Sequence, residues 1–133
     1  MPFYDVPAVA EAVRMGEKQL DNLLSRNELI GVERRTRGVS RRLSVDAAVT
    51  IQLASELATV LGMPIGHALR VSRALQENEG RAIRVGTFAT LQIDLPALRA
   101  TTLARLDSAV ELVGRRKRGR PLRGGTAALA AQE

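Results

Sequence analysis

Three residues, Arg14-Met15-Gly16, separate two short stretches of helical periodicity, and that spacing constrains the fold more than any other feature of the chain. Val6-Pro7-Ala8-Val9-Ala10-Glu11-Ala12-Val13 reads as a helix with Pro7 in its first turn, where a missing N–H costs little. A second helix is expected from Glu17 to Arg26. Leu20, Leu23 and Leu24 share its buried side, because residues three and four apart are helical neighbours. Lys18, Asp21, Asn22 and Ser25 are left looking outward. Two short helices joined this tightly have the shape of a helix-turn-helix.

Beyond Arg26 the chain changes character. Leu29-Ile30-Gly31-Val32 is β-tolerant and broken by glycine, and an arginine-loaded stretch from Arg34 to Leu43 returns from it, which predicts a small hairpin. Ser44 is a suitable N-cap for a helix from Val45 to Leu61, with Asp46 well placed in its first turn. Val49, Leu53, Leu57 and Val60 form one stripe on it. Gly62 and Pro64 end that helix and start another, to about Gln76, whose inward residues are expected to be Ile65, Ala68, Leu69 and Leu75. Alternation at Ile83, Val85, Leu91 and Ile93 around Gly86-Thr87 predicts a second hairpin. Asp94 then caps a final helix to about Val113. Leu103, Leu106, Val110 and Val113 repeat there at heptad spacing over fewer than two heptads. So short a seam must dock on another helix or on a second copy, and these four residues are the expected dimerisation surface.

The expected fold class is therefore mainly α: a winged helix-turn-helix with a small β wing, a short β-hairpin and a C-terminal helix. Residues 1–78 form the winged domain, 79–113 the hairpin and dimerisation helix, and 114–133 a basic, flexible tail. The core must be aliphatic, since Phe3, Tyr4 and Phe88 are the only aromatic residues. That scarcity also argues against recognition by stacking bases on aromatic platforms.

Charge is concentrated in two places. Residues 31–44 hold Arg34, Arg35, Arg37, Arg41 and Arg42 against Glu33 alone, and residues 114–124 hold Arg115, Arg116, Lys117, Arg118, Arg120 and Arg123 against no acid. The formal net charge of the chain is +6, so the remainder is net negative. An acidic body holding out two basic arms is the electrostatic footprint of a nucleic-acid binder.

The order of Val6-Pro7-Ala8-Val9-Ala10-Glu11, the turn, Leu20, Glu28-Leu29-Ile30, Gly38-Val39-Ser40-Arg41-Arg42-Leu43-Ser44 and Leu61-Gly62-Met63-Pro64-Ile65 resembles the MerR-like winged-helix family over roughly residues 4–76. The chain departs from the family pattern at Arg14, where the turn glycine falls, at Asp21, at Glu28, and at Val39 and Leu43, which replace wing aromatics. The resemblance implies that the second helix enters the DNA major groove and presents Lys18, Asp21, Asn22, Ser25 and Arg26 to base edges or phosphates. It places Arg34, Arg35 and Arg37 on the backbone or in the minor groove, with Arg41 and Arg42 holding phosphate. The bland alternative is a solvated, charged hairpin.

Lys117-Arg118-Gly119-Arg120-Pro121 resembles an AT-hook. In such a hook the glycine lets an extended backbone press into the narrow minor groove of A·T-rich DNA, and the arginines run along its floor. Arg118 and Arg120 would insert around Gly119, with Arg115, Arg116, Lys117 and Arg123 on phosphates. Lys117 stands where a full hook often has proline. The alternative is a basic tail that supplies phosphate contacts only.

Catalytic and metal chemistry have no visible support. Cysteine is absent, His67 is the single histidine, Glu77 and Glu79 read as solvated, and no phosphate loop or nucleophile elbow occurs. No cofactor and no small-molecule effector is implied. With neither a signal sequence nor a spanning segment in evidence, a cytoplasmic, nucleoid-associated protein without a membrane partner is expected. The expected function is a DNA-binding transcriptional regulator acting as a homodimer on double-stranded, A·T-rich DNA. The alternatives are an architectural or recombination accessory protein of excisionase or nucleoid type, and a phage assembly or protein–protein adaptor.

Overall fold

The chain opens with a strand that its sequence did not signal. In the computed structural model, which describes residues 2–33 and 41–119 and side chains as far as residue 116, Phe3–Asp5 (β1) pairs antiparallel with Arg42–Ser44 (β3), Tyr4 lying opposite Leu43. Val32–Glu33 (β2) pairs with the other edge of β3, so the small sheet has the order β1-β3-β2. Three residues without alternation give no period to read, and β1 exists because β3 offers it an edge.

Asp5 then turns the chain into Val6–Val13 (α1), its carboxylate accepting from the Ala8 amide at 3.3 Å. Val6, Ala8, Val9, Ala10, Ala12 and Val13 are all buried, so this short helix is covered on nearly every side. Glu17–Arg26 (α2) comes after the expected turn, and Leu20, Leu23 and Leu24 face inward. Arg14 takes the left-handed conformation there, with φ 60°, at the position where the resemblance puts a glycine.

Val45–Leu61 (α3) is the central helix, capped by Ser44 Oγ, which accepts from the Ala47 amide at 3.1 Å. Gly31 lies against that cap. Its φ is 90°, its carbonyl accepts from the Ser44 amide at 2.8 Å, and a Cβ there would collide with Ser44 Oγ. Only glycine meets both demands, so the arm of β2 is fixed to the start of α3. Ile65–Glu77 (α4) packs back along α3, burying Ala68, Leu69, Val71, Ser72 and Leu75. Two residues expected inside are outside. Val60 is 69% exposed and Ile65 38%, because both flank the Gly62–Pro64 corner, one in the last turn of α3 and the other at the first residue of α4.

Ile83–Val85 (β4) and Ala89–Leu91 (β5) form the second hairpin, with Phe88 almost wholly exposed at its tip. Asp94 caps Leu95–Gly119 (α5) by accepting from the Ala97 amide at 3.1 Å. This helix packs on α1 and α3 through Thr102, Leu106 and Ala109, so it belongs to the same core. The expected apolar seam is thus displaced. Leu106 is buried within its own chain, Val113 is half-buried, and Leu103 and Val110 remain exposed. The alanine-lined α1 accepts small residues close up, so Thr102 and Ala109 take the places a search for large apolar side chains would miss.

The helix also outruns its expected end near Val113, continuing to Gly119. Arginine and lysine are good helix formers, and their charges favour a helix C-terminus. Arg115 adds an i,i+4 ion pair with Glu111 at 3.8 Å. Lys117, Arg118 and Gly119 are therefore the last residues of α5 rather than the start of an extended tail.

Candidate nucleic-acid interface

The outward side of α2 is not uniform. Lys18, Asn22, Ser25 and Arg26 are exposed and Asp21 is half-buried. At 100° per residue these positions form two parallel ridges, Lys18-Asn22-Arg26 and Asp21-Ser25, each with i,i+4 spacing. Leu20, Leu23 and Leu24 clamp the opposite side into the core, and this burial decides which face is presented. Among the described residues, Lys18, Asn22 and Arg26 make no ion pair or side-chain hydrogen bond.

The second ridge is occupied. Arg41, immediately before β3, donates from Nη1 to Asp21 Oδ1 at 3.3 Å and to the Asp21 carbonyl at 3.4 Å, and from Nη2 to Ser25 Oγ at 3.1 Å. Its side chain is only 18% exposed. The neighbouring Arg42 lies opposite Glu33 in the β2–β3 ladder, donates from Nε to Glu33 Oε1 at 3.1 Å, and stands over the Phe3 ring. Sequence reasoning set both arginines on phosphate; in the free chain each guanidinium is already held by a carboxylate of the protein. The β2–β3 register sets Arg42 opposite Glu33, and the packing of α2 beside the residue before β3 sets Arg41 on Asp21; neither is readable from spacing alone. Arg34, Arg35 and Arg37 lie outside the described residues.

The basic end of α5 approaches the same part of the molecule. A groove of about 700 Å³ is lined by Pro7, Glu11, Arg14, Glu17, Val113 and Arg116. It brings the end of α5 beside the turn that precedes α2. Arg116 reaches across to Glu11 at 3.1 Å. Lys117, Arg118 and Gly119 continue the helix from there, and Arg120 and Arg123 fall outside the described residues.

Other cations were missed at sequence level. Arg14 is exposed in the turn, and its position gives it a place next to both α2 and α5. Arg70 and Arg73 of α4 line, with Arg26 and the loop 27–30, a second groove of about 540 Å³, where Arg73 pairs with Glu77 at 3.0 Å and Arg99 pairs with Asp46. Their only sequence signal was arginine on a helix face, which is usually solvated.

His67 is exposed, and Glu79 pairs with Arg81 at 3.5 Å. Among the described residues no group of three or more His, Asp or Glu side chains is placed to hold a metal, and no helix is long and apolar enough to cross a membrane. Tyr4 is held above its ordinary phenol range, first by burial and then by the Asp107 carboxylate.

Neither a scan against family models nor a search of curated proteins finds a significant match to this chain.

Proposed function

We propose that the chain is a DNA-binding transcriptional regulator with a MerR-like winged helix-turn-helix. In this reading α1 and α2 are the helix pair, and residues 32–44 form the wing. The observation that carries it is the exposed Lys18-Asn22-Arg26 ridge on a helix whose orientation is fixed by three buried leucines. A short helix of this kind fits the major groove, where asparagine pairs with adenine and lysine or arginine with guanine. Arg34, Arg35 and Arg37 grip the backbone from the wing. The basic end of α5 supplies phosphate contacts beside α2, and Arg118 and Arg120 give an A·T preference through an adjacent minor groove. That last role requires the final turn of α5 to unwind on DNA, because a hook core is extended.

Leu103 and Val110, one heptad apart and exposed on α5, are the surface for a second copy. One observation favours a protein-docking role instead, the near-complete exposure of Phe88 at a hairpin tip.

The test is equilibrium binding of the full chain to matched A·T-rich and G·C-rich duplexes at physiological salt. The wild type should prefer the A·T-rich duplex, and Arg118→Ala with Arg120→Ala should erase that preference while leaving binding in place. Equal binding of both duplexes by both forms would reduce the tail to plain electrostatics. No binding to either would sink the regulator and leave the docking role.

A further inference from the structure

We propose that Arg41 is a positioning residue that latches the wing base onto α2 and neutralises Asp21, so that bases are read from the Lys18-Asn22-Arg26 ridge alone. The inference rests on the DNA-binding reading above and sharpens which residues of α2 do the reading.

Three donor–acceptor contacts from one guanidinium define the latch: Asp21 Oδ1, the Asp21 carbonyl and Ser25 Oγ. Asp21 and Ser25 are one helical turn apart, so a planar fork with two reaching NH₂ groups bridges them where a lysine ammonium would satisfy one. Arg41 also closes one side of a cleft of about 610 Å³ between the second half of α2 and β2, lined by Leu24, Ser25, Leu29 and Val32. Arg41 thus ties the wing base to the helix at the rim of this cleft.

The electrostatic consequence is specific. A bare carboxylate in the middle of a helix lying on a polyanion opposes binding, since like charges brought together at an interface are costly. Asp21 is that carboxylate, and Arg41 cancels it from the flank without occupying the Lys18-Asn22-Arg26 ridge. The sequence shows two arginines beside one another in a basic hairpin. The structure separates their work: Arg42 belongs to the sheet through Glu33, and Arg41 belongs to α2.

The experiment is a double-mutant cycle on the full chain, Arg41→Ala, Asp21→Asn and the pair, read as affinity and salt dependence on a mixed-sequence duplex. Arg41→Ala should weaken binding by about tenfold through the uncovered Asp21 charge. Adding Asp21→Asn should bring affinity back to within about twofold of wild type, with the log–log salt slope of the double variant close to the wild-type value. If Arg41 instead contacts phosphate, the double variant stays as weak as Arg41→Ala, and both lose about 0.9 from the slope. That result overturns the latch.

A single Asp21→Asn variant gives an independent check. Releasing Arg41 should tighten binding to the mixed-sequence duplex and steepen its slope, and unchanged affinity and slope would contradict the latch. Should Arg41→Ala fail to fold, Arg41→Lys replaces it in the cycle, since lysine keeps one ionic contact and loses the Ser25 bridge. If the wild type binds no duplex at any salt, the DNA reading fails on its own. The latch is then judged by thermal unfolding, where coupled Arg41 and Asp21 losses support it and additive losses overturn it.

Discussion

Two helices carry the candidate contacts, and they are held in different ways. The ten-residue α2 has three buried leucines, so burial dictates the direction of every outward side chain. The 25-residue α5 is buried near its middle, at Thr102, Leu106 and Ala109, while its basic end is tied by the exposed pairs Arg115–Glu111 and Arg116–Glu11. Exposed ion pairs contribute little and exchange partners readily. A surface that reads bases needs fixed geometry, and α2 has it. A surface that gathers phosphates needs charge and freedom to adapt, which suits the end of α5.

The largest test of that contrast removes an anchor from each helix. Leu20→Ala and Leu106→Ala should each cost about 2–5 kcal/mol, measured by denaturant unfolding. The Leu106→Ala loss should not vary with protein concentration, because Leu106 packs within its own chain. A concentration-dependent loss would return Leu106 to an intersubunit seam.

Next is Gly31→Ala, at the joint between β2 and α3. The positive φ costs about 1–3 kcal/mol for a non-glycine residue, and the collision with Ser44 Oγ adds to it. A variant as stable as wild type would show that β2 is not fixed to the α3 cap.

A smaller effect is expected at the end of α5. Glu11→Gln should change stability by no more than about 1 kcal/mol, yet free Arg116 and steepen the salt dependence of DNA binding by about 0.9 in log–log slope. A large stability loss with an unchanged slope would make Arg116 a structural residue and blur the distinction between the helices.

The smallest expected effect lies at β1. Tyr4 has its folded-state pKa raised, by burial first and Asp107 second, so the neutral phenol is the form that folding favours. Its contribution is full below the unfolded value, about 10, and is lost as pH rises through the folded value. Tyr4→Phe should therefore flatten the alkaline decline in Tm. An unaltered alkaline decline would place its cause elsewhere.

Much of this fold was legible where the sequence carries punctuation. The limits of α1 and α2, the Ser44 and Asp94 caps and the Gly62–Pro64 break are local signals, and the structure obeys them. What escaped was set by partners distant in sequence. β1 forms only because β3 offers an edge, and the inward face of α5 includes Thr102 and Ala109 because α1 is lined with alanine. Gly114 reads as a stop, yet the arginines after it carry α5 on to Gly119. For the candidate interface, the outward residues of α2 came directly from periodicity. The commitment of Arg41 to Asp21 and of Arg42 to Glu33 did not, since helix–strand packing decides the first pair and strand register the second.

Base reading by α2 is measured by selecting preferred sequences from a randomised duplex pool with the wild-type chain and with Asn22→Ala. The wild type should enrich a defined site containing adenine, and Asn22→Ala should lose preference at that one base pair while keeping its flanks. The same sequence profile from both proteins would contradict base reading by α2.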